Sequence, residues 1–168
     1  MNKLTLIFIG RSGCGKGTQA KLVMEEITKR DFGSKILYLE TGKEYREFVK
    51  EDGLSQKKVD KVLKEGGLQP NFLTVWIWAN YFIKNIKGDE HLITDGTPRK
   101  LEEAIMLDSA MKFYDRKNPT VVHIKVGRQW SFDKLKARGR MDDKDEEINR
   151  RLDWYETDVA PAIEFYRT

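Results

Sequence analysis

Residues 4–19 read LTLIFIGRSGCGKGTQ, an apolar run that ends in a loop with four glycines among the eight residues 10–17. A run this apolar suits a strand buried on both faces, as in a parallel sheet covered by helices. A loop that replaces side chains with glycine lets something approach the backbone itself. Where such a loop ends a strand and starts a helix, successive N–H groups and the positive end of the helix dipole converge on one point, which suits a phosphate chain. The spacing G-x-x-x-x-G-K from Gly10 to Lys16 is that of a P-loop, in which the lysine reaches the outer phosphates. Gly17 stands where Ser or Thr commonly follows the lysine, and Thr18 supplies the hydroxyl one residue later. The alternative is a dinucleotide-binding turn, with Glu40 as its ribose acid. That pattern would require a third small residue at Thr18 and leave Lys16 without a task. Cys14 lies in the loop at a position that takes a small residue, which is reason enough for it.

Downstream, β-rich runs alternate with longer helical ones. Leu4–Ile9, Lys35–Glu40, His91–Asp95 and Thr120–Val126 read as strands buried on both faces, bounded by Gly, Asp, Asn or Pro. Helical spacing covers Thr18–Lys29, Lys43–Glu51, Ser55–Glu65, Asn71–Ile86, Leu101–Arg116 and Glu146–Tyr166. This order predicts an α/β fold with a parallel sheet, right-handed crossovers and a ligand site at the carboxyl ends of the strands. Residues 41–90 exceed one crossover helix, so a small helical subdomain is expected over the sheet edge. In FLTVWIWANYF, residues 72–82, helical spacing puts Phe72, Val75, Trp76 and Ala79 on one face, read as core.

The composition narrows the function. With 31 Lys plus Arg against 27 Asp plus Glu, the net charge of +4 is small and spread out, which argues against a nucleic-acid footprint. No window has the length of a membrane span, and a glycine loop follows the short apolar start where a signal peptide would continue; the expectation is a cytoplasmic protein. Cys14 is the only cysteine, and His91 and His123 are far apart in sequence, so no disulfide or zinc cluster is expected.

A second set of residues suits phosphate chemistry. ITDGTPR, residues 93–99, puts Asp95 at the carboxyl end of the third strand, on the rim of the P-loop, where a carboxylate can orient water on Mg²⁺. On its own, Asp95 followed by glycine is better read as a helix N-cap or turn former. The stretch ARGRMDDKDEEINRRL contains Arg138, Arg140, Arg150 and Arg151, alternating with Asp142, Asp143 and a glutamate run. Such density usually marks a solvated helix face. Beside a P-loop, it can instead surround a phosphoryl group with forked cations.

Together these stretches resemble the adenylate kinase family of nucleoside monophosphate kinases. The resemblance runs from GRSGCGKGTQ through LETGKEYR (39–46), EGGLQP (65–70), TDGTPRK (94–100) and GRMDD (139–143) to RRLDWYETDVAPAIEFY (150–166). It implies a three-layer P-loop NTPase fold and reversible phosphoryl transfer from Mg²⁺-ATP to a nucleoside monophosphate, AMP first, by a monomer. Another base (GMP, UMP or CMP) and a non-catalytic ATP-binding switch are the alternatives. Gly13, Cys14, Gly15, Lys16, Gly17, Thr18, Lys134 and Arg138 would bind ATP. Thr41, Gly42, Arg46, Gly67, Leu68, Gln69, Gly96, Arg99, Glu103, Arg140 and Arg151 would hold the monophosphate. Lys16, Arg99, Arg138, Arg140 and Arg151 would carry catalysis, with Thr18 and Asp95 at Mg²⁺. The implied organisation is a core of 1–40, 87–129 and 148–168, a monophosphate-binding subdomain at 41–71 and a short lid at 130–147, both of these mobile.

Four departures bear on the transfer. Lys134 replaces the arginine that packs on the donor base in the family, and Thr97 replaces an aromatic before Pro98, whose peptide bond is expected to be cis. Glu103 stands where the family usually has a glutamine that reads adenine. An ionised glutamate can only accept, which suits the adjacent N–H donors of guanine, unless Glu103 is protonated or turned to solvent. The family continues past the equivalent of Tyr166 into a fifth strand and a last helix. Either the sequence is truncated or its donor pocket is open on one side.

Overall fold

Four short strands, β1 (Thr5–Gly10), β2 (Ile36–Glu40), β3 (His91–Asp95) and β4 (Thr120–Ile124), form one parallel sheet in the order β2-β3-β1-β4. The computed structural model describes residues 3–140 and 143–167, so Met141 and Asp142 of the GRMDD stretch lie outside the described residues. The helices are α1 (Lys16–Arg30), α2 (Thr41–Phe48), α3 (Leu54–Lys64), α4 (Asn71–Asn85), α5 (Leu101–Phe113), α6 (Arg128–Arg138), α7 (Asp145–Trp154) and α8 (Ala160–Phe165). The four-strand α/β architecture agrees with the sequence reading.

The period-2 alternation of the strands divides the core. Ile7, Ile9, Leu39 and Leu92 face Trp78, Phe82, Leu107, Met111 and Ile163, while Phe8 and Ile93 face Ala20 and Ile27 of α1. Each such fully buried aliphatic or aromatic side chain contributes about 1.5–3 kcal/mol. Burial on both faces holds for the inner strands β1 and β3 only. As edges, β2 and β4 are half-buried over most of their length. His91, fully buried, staples the sheet's amino end: its Nδ1 accepts the Leu4 N–H at 3.0 Å, so Nε2 carries the proton toward Asp31, 3.0 Å away.

Two helical expectations need correction. Phe72 and Trp76 are exposed, and the buried residues of α4 are Leu73, Thr74, Ile77, Trp78 and Phe82. The helix serves two cores: Leu73 and Ile77 pack with Tyr45 and Val59 of the helical subdomain, while Trp78 and Phe82 pack on the sheet. The final helix is also not continuous. A π-helical turn, Tyr155–Val159, separates α7 from α8, and Pro161 explains it. Proline has no N–H to give to the carbonyl four residues back and its ring crowds that oxygen, so the helix widens before it.

Candidate functional site

The carboxyl ends of β1, β2 and β3 open into a cavity of about 1210 Å³. Every residue that the resemblance marks for nucleotide binding lines it. The register explains the convergence. Phe8 of β1 lies beside Asp95 of β3, and Glu40 of β2 lies on its other side, so the segments leaving these strands reach one rim of the sheet together.

At one end lies the glycine loop. Gly13 has φ +77, and a Cβ there would fall 2.7 Å from Leu135 Cγ and 2.8 Å from the Ser131 carbonyl oxygen, so α6 rests directly on the loop. Lys16 begins α1 after Gly15, and its ammonium donates to the carbonyls of Gly10 at 2.8 Å and Arg11 at 3.0 Å. Cys14 is buried and Thr18 exposed. Gly17 has a reason for its missing side chain: a Cβ would stand 3.3 Å from Asp95 Oδ2. That buried carboxylate accepts the Tyr38 hydroxyl at 3.0 Å, and its burial pushes its pKa up against the pull of Lys16 and Tyr38. Lys134 is exposed on α6, its Nζ 5.4 Å from the ring centre of Trp130.

The other end is built by the helical subdomain and the turn after β3. Thr41, where β2 passes into α2, is 1% exposed, and its hydroxyl has no hydrogen-bond partner among the described residues. Arg46 donates to Glu40 at 2.7 Å, beside Gly42. Gly67, Leu68 and Gln69 come after α3, with the buried Gln69 amide donating to the Val59 carbonyl at 3.0 Å. The Thr97–Pro98 peptide is cis. Arg99 Nε donates to the Gly96 carbonyl at 2.9 Å, and its guanidinium carbon sits 5.4 Å from the ring centre of Trp154.

Glu103 is 2% exposed, which removes the solvent-facing alternative. It occupies the third position of α5 and accepts the Arg99 N–H at 2.8 Å, reaching one residue past the N-cap Lys100 and so bracing the turn that precedes the helix. Burial pushes its carboxyl above the usual range, opposed by the Arg99 N–H and the charges of Arg99 and Lys100.

Three of the arginines share a centre. Asp143, with a fully buried side chain, receives Arg138 through Nε at 2.9 Å and Nη2 at 2.7 Å, Arg151 at 2.5 Å, and the Arg140 N–H at 3.0 Å. Burial raises its pKa, but these partners outweigh it and hold the carboxyl below the ordinary value. Arg151 is buried, whereas Arg138 and Arg140 are exposed. Sequence reasoning assigns no role to Asp143, Tyr38 or Trp154. An acid inside an arginine-dense stretch is the available signal for Asp143.

A family model for adenylate kinase matches residues 8–168. The chain belongs to the adenylate kinase family. It is 32% identical to adenylate kinase 1 of Nostoc sp., over 96% of this chain and 83% of that protein. It is 31% identical to an adenylate kinase of Prochlorococcus marinus, over 98% of this chain and 85% of the relative. An adenylate kinase of Mycobacterium ulcerans matches at 29%, over 98% and 87%. Among the described residues no helix is long and apolar enough to cross a membrane.

Proposed function

We propose that this chain catalyses reversible transfer of a phosphoryl group from Mg²⁺-ATP to a nucleoside monophosphate, with AMP as the first acceptor and two ADP as products. One observation carries the reading: a single cavity is lined at one end by a glycine loop with its lysine and at the other by an unpartnered buried hydroxyl, Arg99 and Glu103. Two anions fit such a space end to end.

In this reading the N–H groups of Gly13 to Thr18 hold the donor phosphates, and Lys16 leaves its own loop's carbonyls to meet them. Lys134 lies on the donor side. Thr41, Gly42, Arg46, Gly67, Leu68, Gln69 and Gly96 shape the acceptor end, where Arg99 takes the monophosphate. Arg138, Arg140 and Arg151, gathered by Asp143, neutralise charge on the group in transfer. The site suits magnesium: a buried carboxylate with space left by Gly17 and an exposed Thr18 hydroxyl is a sufficient protein share for an ion that otherwise keeps water and phosphate oxygens. Thr18 and Asp95 would hold such an ion through its water, and it would supply positive charge to neutralise the donor phosphates. We assign closure to the lid at 130–147 and to α2 and α3 of the acceptor subdomain at 41–71, moving against a core of 1–40, 87–129 and 148–168 to which the loop after α3 stays attached. Closure dries the cleft against hydrolysis.

The buried Glu103 carboxylate favours a second reading for the base alone, since guanine offers it two adjacent N–H donors. A coupled assay of ADP formation with AMP, GMP, CMP and UMP tests both. Magnesium-dependent turnover with AMP highest is expected. Binding of ATP without turnover on any acceptor would leave a nucleotide-binding switch.

A further inference from the structure

The loop at 65–67 is fastened to α7 by bonds that no nucleotide supplies. The Trp154 indole N–H donates to the Gly66 carbonyl at 3.1 Å, and Arg150 donates to the Glu65 carbonyl at 2.6 Å. Gly66 ends α3 in the left-handed region, φ +66, where a Cβ would lie 2.7 Å from the Glu147 carbonyl oxygen. The contact is therefore backbone against backbone. The same indole carries the Arg99 guanidinium over its ring at 5.4 Å, within the range of a cation–π interaction. Arg99 is thus held from two sides, by the Gly96 carbonyl through Nε and by the ring through its face. The outer nitrogens keep their donor directions for an anion.

We propose that Trp154 is a positioning residue for the acceptor: one side chain ties the loop of Gly66–Gln69 to the arginine that takes the monophosphate, so the acceptor end is assembled before substrate arrives. This rests on the reading of the cleft as a monophosphate kinase. It deepens that reading by assigning acceptor affinity to a residue at the end of α7. An ordered acceptor end spares the ordering cost at binding, so its loss falls on the monophosphate and not on ATP.

The test is steady-state kinetics of Trp154→Phe, which keeps a ring beneath Arg99 but lacks the N–H, and Trp154→Leu, which lacks both. The expected result is a KM for AMP raised about fivefold in the first and about twentyfold in the second, the scale of one hydrogen bond and one cation–π contact. The KM for ATP should stay within about twofold, with kcat little changed. A merely structural tryptophan would instead lower thermal stability and the active fraction, leaving the KM for AMP in place; that result overturns the proposal. Should a Trp154 variant not fold, Arg150→Gln at the exposed end of the same fastening decides it. Its KM for AMP must rise about two- to threefold, and an unchanged value rejects the latch. Wild-type protein without turnover would remove the kinase reading and this proposal together. Active wild type with unmoved acceptor KM values in the variants removes only the proposal.

Discussion

At the donor end of the cleft the Lys16 ammonium rests on carbonyl oxygens of its own loop, Gly10 at 2.8 Å and Arg11 at 3.0 Å, whereas at the acceptor end Arg99 rests on Gly96 and on the face of Trp154. Lys16 must exchange partners to meet a phosphate. A point charge on a flexible four-carbon stem can do so, because the anion accepts the hydrogen bonds that the ammonium withdraws from the carbonyls. Arg99 need not exchange its supports, since a guanidinium has donors to spare after Nε is engaged. The difference teaches that one end answers its ligand by rearranging and the other by being ready. Mutations at the two ends should therefore fail in different kinetic constants.

The largest expected effect breaks the donor end. Lys16→Ala should cut kcat by roughly 10³-fold, the scale of a charge aimed at the transferring phosphoryl. Arg99→Ala should act on both constants, raising the KM for the monophosphate as it lowers kcat. Near-normal turnover in Lys16→Ala would show that this loop does not hold the donor.

Next comes the centre that serves both ends. Removing the buried acid in Asp143→Ala leaves Arg138 and the buried Arg151 without it, and the loss of one partner from a buried ion pair costs about 3 kcal/mol. For a chain of 168 residues that corresponds to a melting temperature lower by about 6–12 °C. Calorimetry should show this together with a fall in kcat of about tenfold or more, as the arginines lose their aim. An unaltered melting curve would mean that the cluster does not contribute to stability.

How much of this the sequence carries depends on whether the chemistry is local. The glycine loop is contiguous, so its spacing alone states its geometry, and Asp95 and Arg99 are placed by a strand end. Asp143 escapes because a carboxylate among arginines and glutamates looks the same whether solvated or buried; only the approach of α6 and α7 buries it. Trp154 escapes because its partners, Gly66 and Arg99, lie 88 and 55 positions away. The face of α4 is misread because FLTVWIWANYF is apolar on most sides, so helical period cannot choose a face. The choice is made by two separate cores, which take Leu73 and Ile77 on one side and Trp78 and Phe82 on the other.

A smaller effect sharpens the acceptor end. Glu103→Gln replaces an acceptor by a group that both donates and accepts, as an adenine edge requires. The ratio of kcat/KM for AMP over GMP should rise about tenfold, the worth of one hydrogen bond of about 1.4 kcal/mol. An unchanged ratio across the two monophosphates would assign Glu103 to bracing the turn before α5 alone.

The same variant makes the smallest prediction, in stability against pH. Burial raises the Glu103 carboxyl above its unfolded value, opposed by the Arg99 N–H and by the charges of Arg99 and Lys100. Between the unfolded and the raised value the native state binds more protons than the unfolded chain. Stability from this group is therefore greatest below the unfolded carboxylate range and falls as pH rises through the raised pKa. Glu103→Gln removes that slope while its carbonyl can still accept the Arg99 N–H, so its advantage over wild type should grow with pH and then level off. Asp95, raised by burial at the donor end, remains as a shared background slope in both proteins. Thermal melts from about pH 4 to about pH 8, a span that brackets the carboxylate range, check it. A difference in melting temperature that does not change with pH would place the titration elsewhere, and one that shrinks toward neutrality would reverse the sign of the Glu103 assignment.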